Sequence, residues 1–294
     1  MYPLDLVKLT ALMARTSGNP EVKIGLIDGP VLARHPDLAA APFREISGNS
    51  GITCTQASSA ACLHGTFIAG ILSAKRSSPA PAICPDCTLL LRPIFTETTS
   101  GREHLPSATP PELAAAIVEC IDAGARVINL SLALAQPSTK GEQSLEEAFN
   151  HAVRRGVIVV AAAGNQGALG SSAITRHPWV IPVVACDLAG RPMNQSNLGG
   201  SIGRGGLSAP GDGVTSLGAE GRPLTLGGTS VAAPFVTGTI ALLWSEFPAA
   251  TAAEVKLAVT LAPTPRRASV VPPLLDAAAA YRTLSMANVR RRTA

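Results

Sequence analysis

The chain has 294 residues, a net charge of +4 and 46% apolar residues but only 3% aromatic ones, so its core has to be built from Ala, Val, Ile and Leu. Basic residues are scattered apart from Arg290-Arg291-Arg292, a triplet that suits a solvated tail better than a nucleic-acid patch. The longest apolar runs fall short of the roughly 20 residues of a membrane span, so neither nucleic acid nor membrane is expected as a partner.

Near the start, Leu6, Val7, Leu9 and Met13 suit an amphipathic helix packed on a sheet. Residues 1–20 therefore read as a helical segment laid on a catalytic domain of residues 21–286, with 287–294 as a basic flexible tail. Leu4 to Met13 is interrupted by Asp5 and Lys8, and no cleavage pattern follows. That is not a secretory signal, so a cytoplasmic protein is expected, or a secreted one if the sequence is a processed form. Val22 to Ile27 reads as a strand delivering Asp28 to the turn Gly29-Pro30; an acid at the end of a buried strand is costly unless paired. His64 stands at the mouth of an apolar helix over 64–74. A strand over 88–94, a helix over 111–123, a strand over 126–131 and a helix over 142–155 follow. The run Gly156 to Asn165 is a buried strand (157–162) that ends by presenting Asn165.

A further strand over 180–185 precedes the glycine-rich turn Gly227 to Pro234 and a helix over 231–245. Proline is tolerated in a first turn, so Pro234 marks the helix start and leaves Ser230 beside free N–H groups at the positive end of the dipole. Taken alone, Ser230 reads better as a simple N-cap than as a nucleophile. Thr251-x-x-Glu254 is a capping box, and Pro272 to Ser285 a covering helix. The alternation of strands and helices predicts an α/β fold: one domain, three layers, a mostly parallel sheet with helices on both faces. The active site of such a sheet lies at the carboxyl ends of its strands, where Asp28 and Asn165 are placed.

Asp28, His64 and Ser230 occur in the chain order of a subtilisin triad. Ile-Asp28-Gly, His35-Pro-Asp-Leu38, His64-Gly-Thr, Val127-Ile-Asn-Leu-Ser131, Ala162-Ala-Gly-Asn165, Ser208-Ala-Pro-Gly211 and Gly228-Thr-Ser230 resemble the motifs of the subtilisin family of serine proteases. The resemblance spans residues 20 to 285. Within the family, Leu-Ile-Asp28-Gly-Pro-Val31 and Arg92-Pro-Ile-Phe95 look most like cyanobactin-type maturation protease domains. It implies Ser230 as nucleophile, His64 as general base, Asp28 as its orienter, and Asn165 with the Ser230 N–H as oxyanion donors. It also implies that Thr98, Thr99, Ser100 and Gly101, with Ser131, Leu132 and Ala133, flank an extended substrate. Ala162, Ala163 and Gly164 then form a pocket wall.

Two departures stand out. Phe67 replaces the family's usual second histidine. Ser73 to Ala82, where many members carry a calcium loop, has no Asp, Glu, Asn or Gln and two cations, whereas calcium takes 6–8 oxygen ligands; no calcium is expected there, and no metal or cofactor is assigned. His35, His104, His151 and His177 lack metal-ligand spacing and read as surface or loop residues. Cys120 and Cys186 read as buried thiols. Cys54, Cys62, Cys84 and Cys87 read as loop residues, with Cys84-Pro-Asp-Cys87 favouring a loop staple and the pairing left open. Disulfides among them weigh against the cytoplasm.

The expected activity is hydrolysis of peptide bonds by a monomeric endopeptidase, with a ribosomally made precursor peptide as one substrate class. A macrocyclase on the same fold and a catalytically silent peptide-binding relative are the alternatives. Asp28 and His64 lie only 36 residues apart, and Ile46 to Ala61 carries no apolar stripe for a lid that would exclude water, so hydrolysis is favoured over cyclisation.

Overall fold

The computed structural model describes residues 2–46, 54–97, 108–132, 142–261 and 269–293. In chain order its elements are α1 (Pro3–Leu6), α2 (Thr10–Met13), β1 (Lys23–Asp28), β2 (Phe43–Glu45), α3 (Ala60–Ser73), β3 (Thr88–Pro93) and α4 (Pro110–Asp122). There follow β4 (Val127–Leu130), α5 (Gln143–Arg155), β5 (Ile158–Ala162), α6 (Ala173–Arg176), β6 (Val180–Cys186), α7 (Gly200–Gly205) and β7 (Leu207–Pro210). The hairpin β8 (Val214–Ser216) and β9 (Leu224–Leu226) leads into α8 (Thr229–Glu246), α9 (Ala252–Thr260) and α10 (Ala277–Thr293).

Seven strands form one parallel sheet in the order β2-β3-β1-β4-β5-β6-β7. Its strands are near-continuous apolar runs because both faces are covered. Side chains alternate between the faces: Ile24, Leu26, Leu89, Val127, Ile158, Val160, Ile181 and Val183 enter a core shared with α3 and α8. Ile27, Leu90, Ile128, Val159 and Ala161 enter a second core with α4 and α5. The strand order turns back at β1 and β4, and in open sheets the crevice at such a switch point is where ligands bind. Asp28 closes β1 there, and Ser131 follows β4.

Both helices that carry candidate residues begin earlier than the sequence predicts. Ser59 caps α3 by accepting the Cys62 N–H at 3.2 Å, which moves His64 from the mouth of the helix into its second turn. α8 begins at Thr229, with Pro234 inside it. Proline there removes only one intrahelical bond, the one to the Ser230 carbonyl, and another group satisfies that carbonyl, as described below.

The C-terminal helix is longer than predicted. It starts at Ala277 and runs to Thr293, so residues read from sequence as a tail continue it. Arg291 anchors it, donating to the Ala249 carbonyl at 3.2 Å and pairing with Glu254. That pair, with the Thr251 capping bonds, holds the Glu254 carboxyl down at about 2. At the other end, Val7 and Leu9 are fully buried, Arg15 stacks 4.7 Å over the Tyr281 ring, and Ala277 N–H donates to Val7 O at 3.0 Å. Among the described residues no helix is long and apolar enough to cross a membrane.

Between α3 and β3, where the resemblance would place a calcium loop, the donors do not fit calcium. Arg76 instead points its guanidinium at backbone carbonyls, those of Met13 (2.6 Å), Thr16 (2.9 Å) and Ile83 (3.4 Å). A fixed side-chain cation ties this segment to α2. Arg76→Ala is therefore expected to cost about 1–2 kcal/mol, since charged hydrogen bonds are worth a little more than neutral ones and these are partly exposed. EGTA is expected to leave the melting temperature nearly unchanged. A fall of more than about 10 °C on chelation, monitored by circular dichroism, would mean a tightly held ion elsewhere.

Candidate active site

Asp28 is 1% exposed. Its Oδ1 accepts the Gly29 N–H at 2.6 Å and lies 2.7 Å from His64 Nδ1. Its Oδ2 has no hydrogen-bond partner among the described residues. Two glycines make the approach of α3 possible. A Cβ on Gly29 would lie 2.0 Å from the Ala61 carbonyl oxygen, and one on Gly65 would lie 2.4 Å from that of Gly29. Backbone packs directly on backbone, and this sets the imidazole over the buried carboxylate.

His64 Nε2 lies 3.1 Å from Ser230 Oγ, completing a chain from carboxylate to hydroxyl. Burial works to lower the imidazole pKa, but the charge of Asp28 and its hydrogen bond outweigh it, and the pKa is raised above the ordinary 6.5. Ser230 is the second residue of α8, where helix geometry leaves N–H groups without intrahelical partners. The N-cap Gly228 has φ +130°, a conformation suited to glycine, and a Cβ there would meet Asn165 Nδ2 at 3.0 Å.

Asn165 is exposed just beyond β5. Its Oδ1 accepts the Thr229 N–H at 2.9 Å and the Thr229 hydroxyl at 3.1 Å, so the amide oxygen, not the NH2, is the end bonded to α8. The structure thus brings together Asp28, His64, Ser230 and Asn165 at the carboxyl edge of the sheet. Thr229, missed from sequence, also receives the Gly164 N–H on its hydroxyl at 3.1 Å.

Ser131, expected from the resemblance to flank substrate, uses its hydroxyl internally. It donates to the Ser230 carbonyl at 2.9 Å, the carbonyl left free by Pro234, and accepts from Asn129 Nδ2 at 2.7 Å. Thr237 in turn donates to Asn129 Oδ1 at 2.8 Å. Nothing in the composition of this stretch marks such a relay. Leu132 follows it, half-buried; Ala162, Ala163 and Gly164 are buried at the end of β5. Thr98, Thr99, Ser100, Gly101, Ala133 and His104 lie outside the described residues.

The cysteines correct the sequence reading. Cys54 and Cys62 form a disulfide, and Cys62 lies in the first turn of α3 rather than in a loop. The staple expected at Cys84 and Cys87 is not formed. Both are buried free thiols; the neighbouring Cys87 and burial push the Cys84 thiol well above its usual range. Cys120 and Cys186 are free and buried, each pushed up to about 12 by burial, and so are poor nucleophiles. His35, read as a surface or loop residue, is 6% exposed, its Nδ1 accepting the Asp37 N–H at 3.1 Å.

Among the described residues, the one grouping with metal-like spacing is Cys54, Cys62 and Glu97. It offers no ligand set: the sulfurs are joined, and the Glu97 carboxylate accepts from Thr55 and Gln56 backbone N–H groups and from the Thr55 and Ser59 hydroxyls.

The subtilase family matches residues 19–270. Subtilisin DY from Bacillus licheniformis is 29% identical over 260 residues, covering 87% of this chain and 88% of that protein. The protease domain of PatA superimposes with a TM-score of 0.84 at 27% identity, covering 92% of this chain and 97% of that one. The prenylagaramide maturation protease PagA superimposes with a TM-score of 0.81 at 27% identity, covering 94% and 98%. With the family spanning nearly the whole sheet and its flanking helices, the chain belongs to the subtilases and is a subtilisin-family serine endopeptidase.

Proposed function

We propose that Ser230 is the nucleophile, His64 its general base and later general acid, and Asp28 the group that fixes the imidazole tautomer. The observation that carries this is the continuous hydrogen-bonded chain Asp28–His64–Ser230, 2.7 and 3.1 Å long. Ser230 Oγ attacks the scissile carbonyl while His64 Nε2 takes its proton; that proton passes to the leaving amine as the acyl-enzyme forms. Water, deprotonated by the same nitrogen, then releases the acid and restores the serine. The Asn165 NH2 and the Ser230 N–H are the donors for the tetrahedral oxyanion.

The substrate class we infer is a ribosomally made precursor peptide, trimmed at a defined bond by a monomeric enzyme. The likeness to PagA, named as a maturation protease, and to the PatA protease domain supports this. The test is to incubate the purified enzyme with a candidate precursor peptide and weigh the products. Linear fragments are expected, because the sequence from Ile46 to Ala61 carries no apolar stripe at helical spacing for a lid that would shield the acyl-enzyme from water. A main product lighter than the linear peptide by one water would instead establish a macrocyclase.

The Cys54–Cys62 bridge favours an oxidising compartment over the cytoplasmic one expected from sequence. Alkylation of the denatured, unreduced protein should therefore modify four cysteines. Modification of all six in protein taken directly from cells would restore the cytoplasmic reading.

A further inference from the structure

Asn165 sits on a loop with little regular structure of its own to hold it. Gly164 (φ +103°) and Gly167 (φ +61°) place left-handed turns on either side, and successive N–H and C=O groups there point where no strand pairs with them. The segment around residues 195–198 supplies partners instead: Gln195 O accepts the Gly167 N–H (2.7 Å), the Leu198 N–H donates to Ala168 O (3.0 Å), and Asn197 holds the groups nearest Asn165. Asn197, 4% exposed in the segment between β6 and α7, accepts the N–H groups of Gln166 (3.1 Å) and Ala168 (3.0 Å) on its side-chain oxygen. Its side-chain nitrogen donates to the Ala163 carbonyl (3.2 Å) and to Gln166 Oε1 (2.6 Å). Its own backbone N–H donates to the Gly164 carbonyl (2.9 Å).

These five bonds bracket Asn165 in sequence on both sides, and none of them goes to Asn165. Only one orientation of the Asn197 amide serves all four side-chain contacts; reversed, its NH2 would face two N–H groups. The fit is close, since a Cβ on Gly164 would lie 2.3 Å from Asn197 Nδ2. Thr229 fixes the end of the Asn165 side chain, while Asn197 fixes the backbone from which that side chain springs.

We infer that Asn197 is a positioning residue that sets the reach of the Asn165 amide toward the oxyanion. The inference rests on the reading of Asn165 as an oxyanion donor. Donors of this kind act only when held to within about 0.5 Å of the productive geometry, and a 1 Å displacement costs about a hundredfold in rate. Removing Asn197 leaves two part-buried N–H groups and the buried Ala163 carbonyl to find new partners, which moves the loop.

The test is a double-mutant cycle with Asn165→Ala and Asn197→Ala, following kcat and KM on a peptide substrate and inhibition by a peptide aldehyde, whose adduct oxygen occupies the oxyanion position. Asn197→Ala is expected to lower kcat about tenfold to a hundredfold, to leave KM within about twofold, and to weaken the aldehyde by the same factor as kcat. In the Asn165→Ala background the second substitution should cost less than about twofold, the limit for uncoupled noise. An equal fall in both backgrounds overturns the inference, as does an unchanged kcat in Asn197→Ala beside a slowed Asn165→Ala. An Asn165→Ala enzyme with undiminished kcat removes the oxyanion reading itself, and the inference with it. Should Asn197→Ala fail to fold, Asn197→Asp carries the same comparison, because it keeps the shape and both accepted N–H bonds but loses the donated ones.

Discussion

Replacing Ser230 by alanine is expected to lower kcat about a millionfold, the scale of nucleophile loss measured in a subtilisin, with KM and the fold little changed. The side chain is short, half-buried and tied to the protein only through His64 Nε2 among the described contacts, so its loss leaves no cavity of consequence. The Asn165 amide and the N–H at residue 230 survive the substitution, and with substrate binding they preserve about 10³–10⁴-fold over the uncatalysed rate. A fluorophosphonate should label Ser230 in the wild type and nothing in the variant. Labelling of another serine, or turnover within about tenfold of wild type, would remove Ser230 from its role.

Asp28→Asn is the next largest effect, about 10⁴-fold in kcat. An amide in place of the carboxylate no longer requires a proton on His64 Nδ1, so the imidazole carries its proton on Nε2 and cannot accept one from Ser230. The pH profile gives an independent readout. In the wild type His64 must be neutral to act, and its pKa is raised above 6.5 by Asp28 against the opposing effect of burial. Activity should thus rise with pH through a value above 6.5. In Asp28→Asn burial alone remains, and the acid limb should move below 6.5. The stability linkage has the opposite sign: the charged pair contributes fully below the unfolded value of about 6.5 and is lost as pH rises through the raised one. An acid limb that stays in place in the variant would show that another group controls it.

The sheet was legible in the sequence because β1, β4, β5 and β6 are apolar on both faces, a pattern that needs no alternation to be recognised. β2, β8 and β9 were not legible. They are three-residue pieces such as Phe43-Arg44-Glu45, held by neighbours rather than by their own propensity. β7 ends in proline at the sheet edge, which reads as a turn. The starts of α3 and α8 were hidden by Ser59-Ala60 and Gly227-Gly228-Thr229, residues that look like loop until their caps are seen. Asp28, His64, Ser230 and Asn165 could be read as a candidate set because each has a glycine within two residues, in a short motif beside an apolar run. Asn197 left no trace, since four of its five bonds go to backbone groups, which every sequence has. The cysteine pairing was likewise a matter of three-dimensional proximity.

The place of β1 in the sheet bears on how the enzyme folds. Its neighbours are remote in the chain: Lys23 pairs with Thr88 and Ile24 with Val127, about 65 and 100 residues downstream. The strand that carries Asp28 gains both partners only after two long loops have closed, and loop entropy opposes each closure before any pairing offsets it. Parallel sheets of such high contact order fold slowly. Until β3 and β4 arrive, the edges of β1 stay open to other chains. The site cannot form piecemeal, because the carboxylate, the imidazole and the serine come from segments that meet only when the sheet is complete. A partly folded chain therefore has no proteolytic activity, and activity regained on refolding measures completion of the central strand.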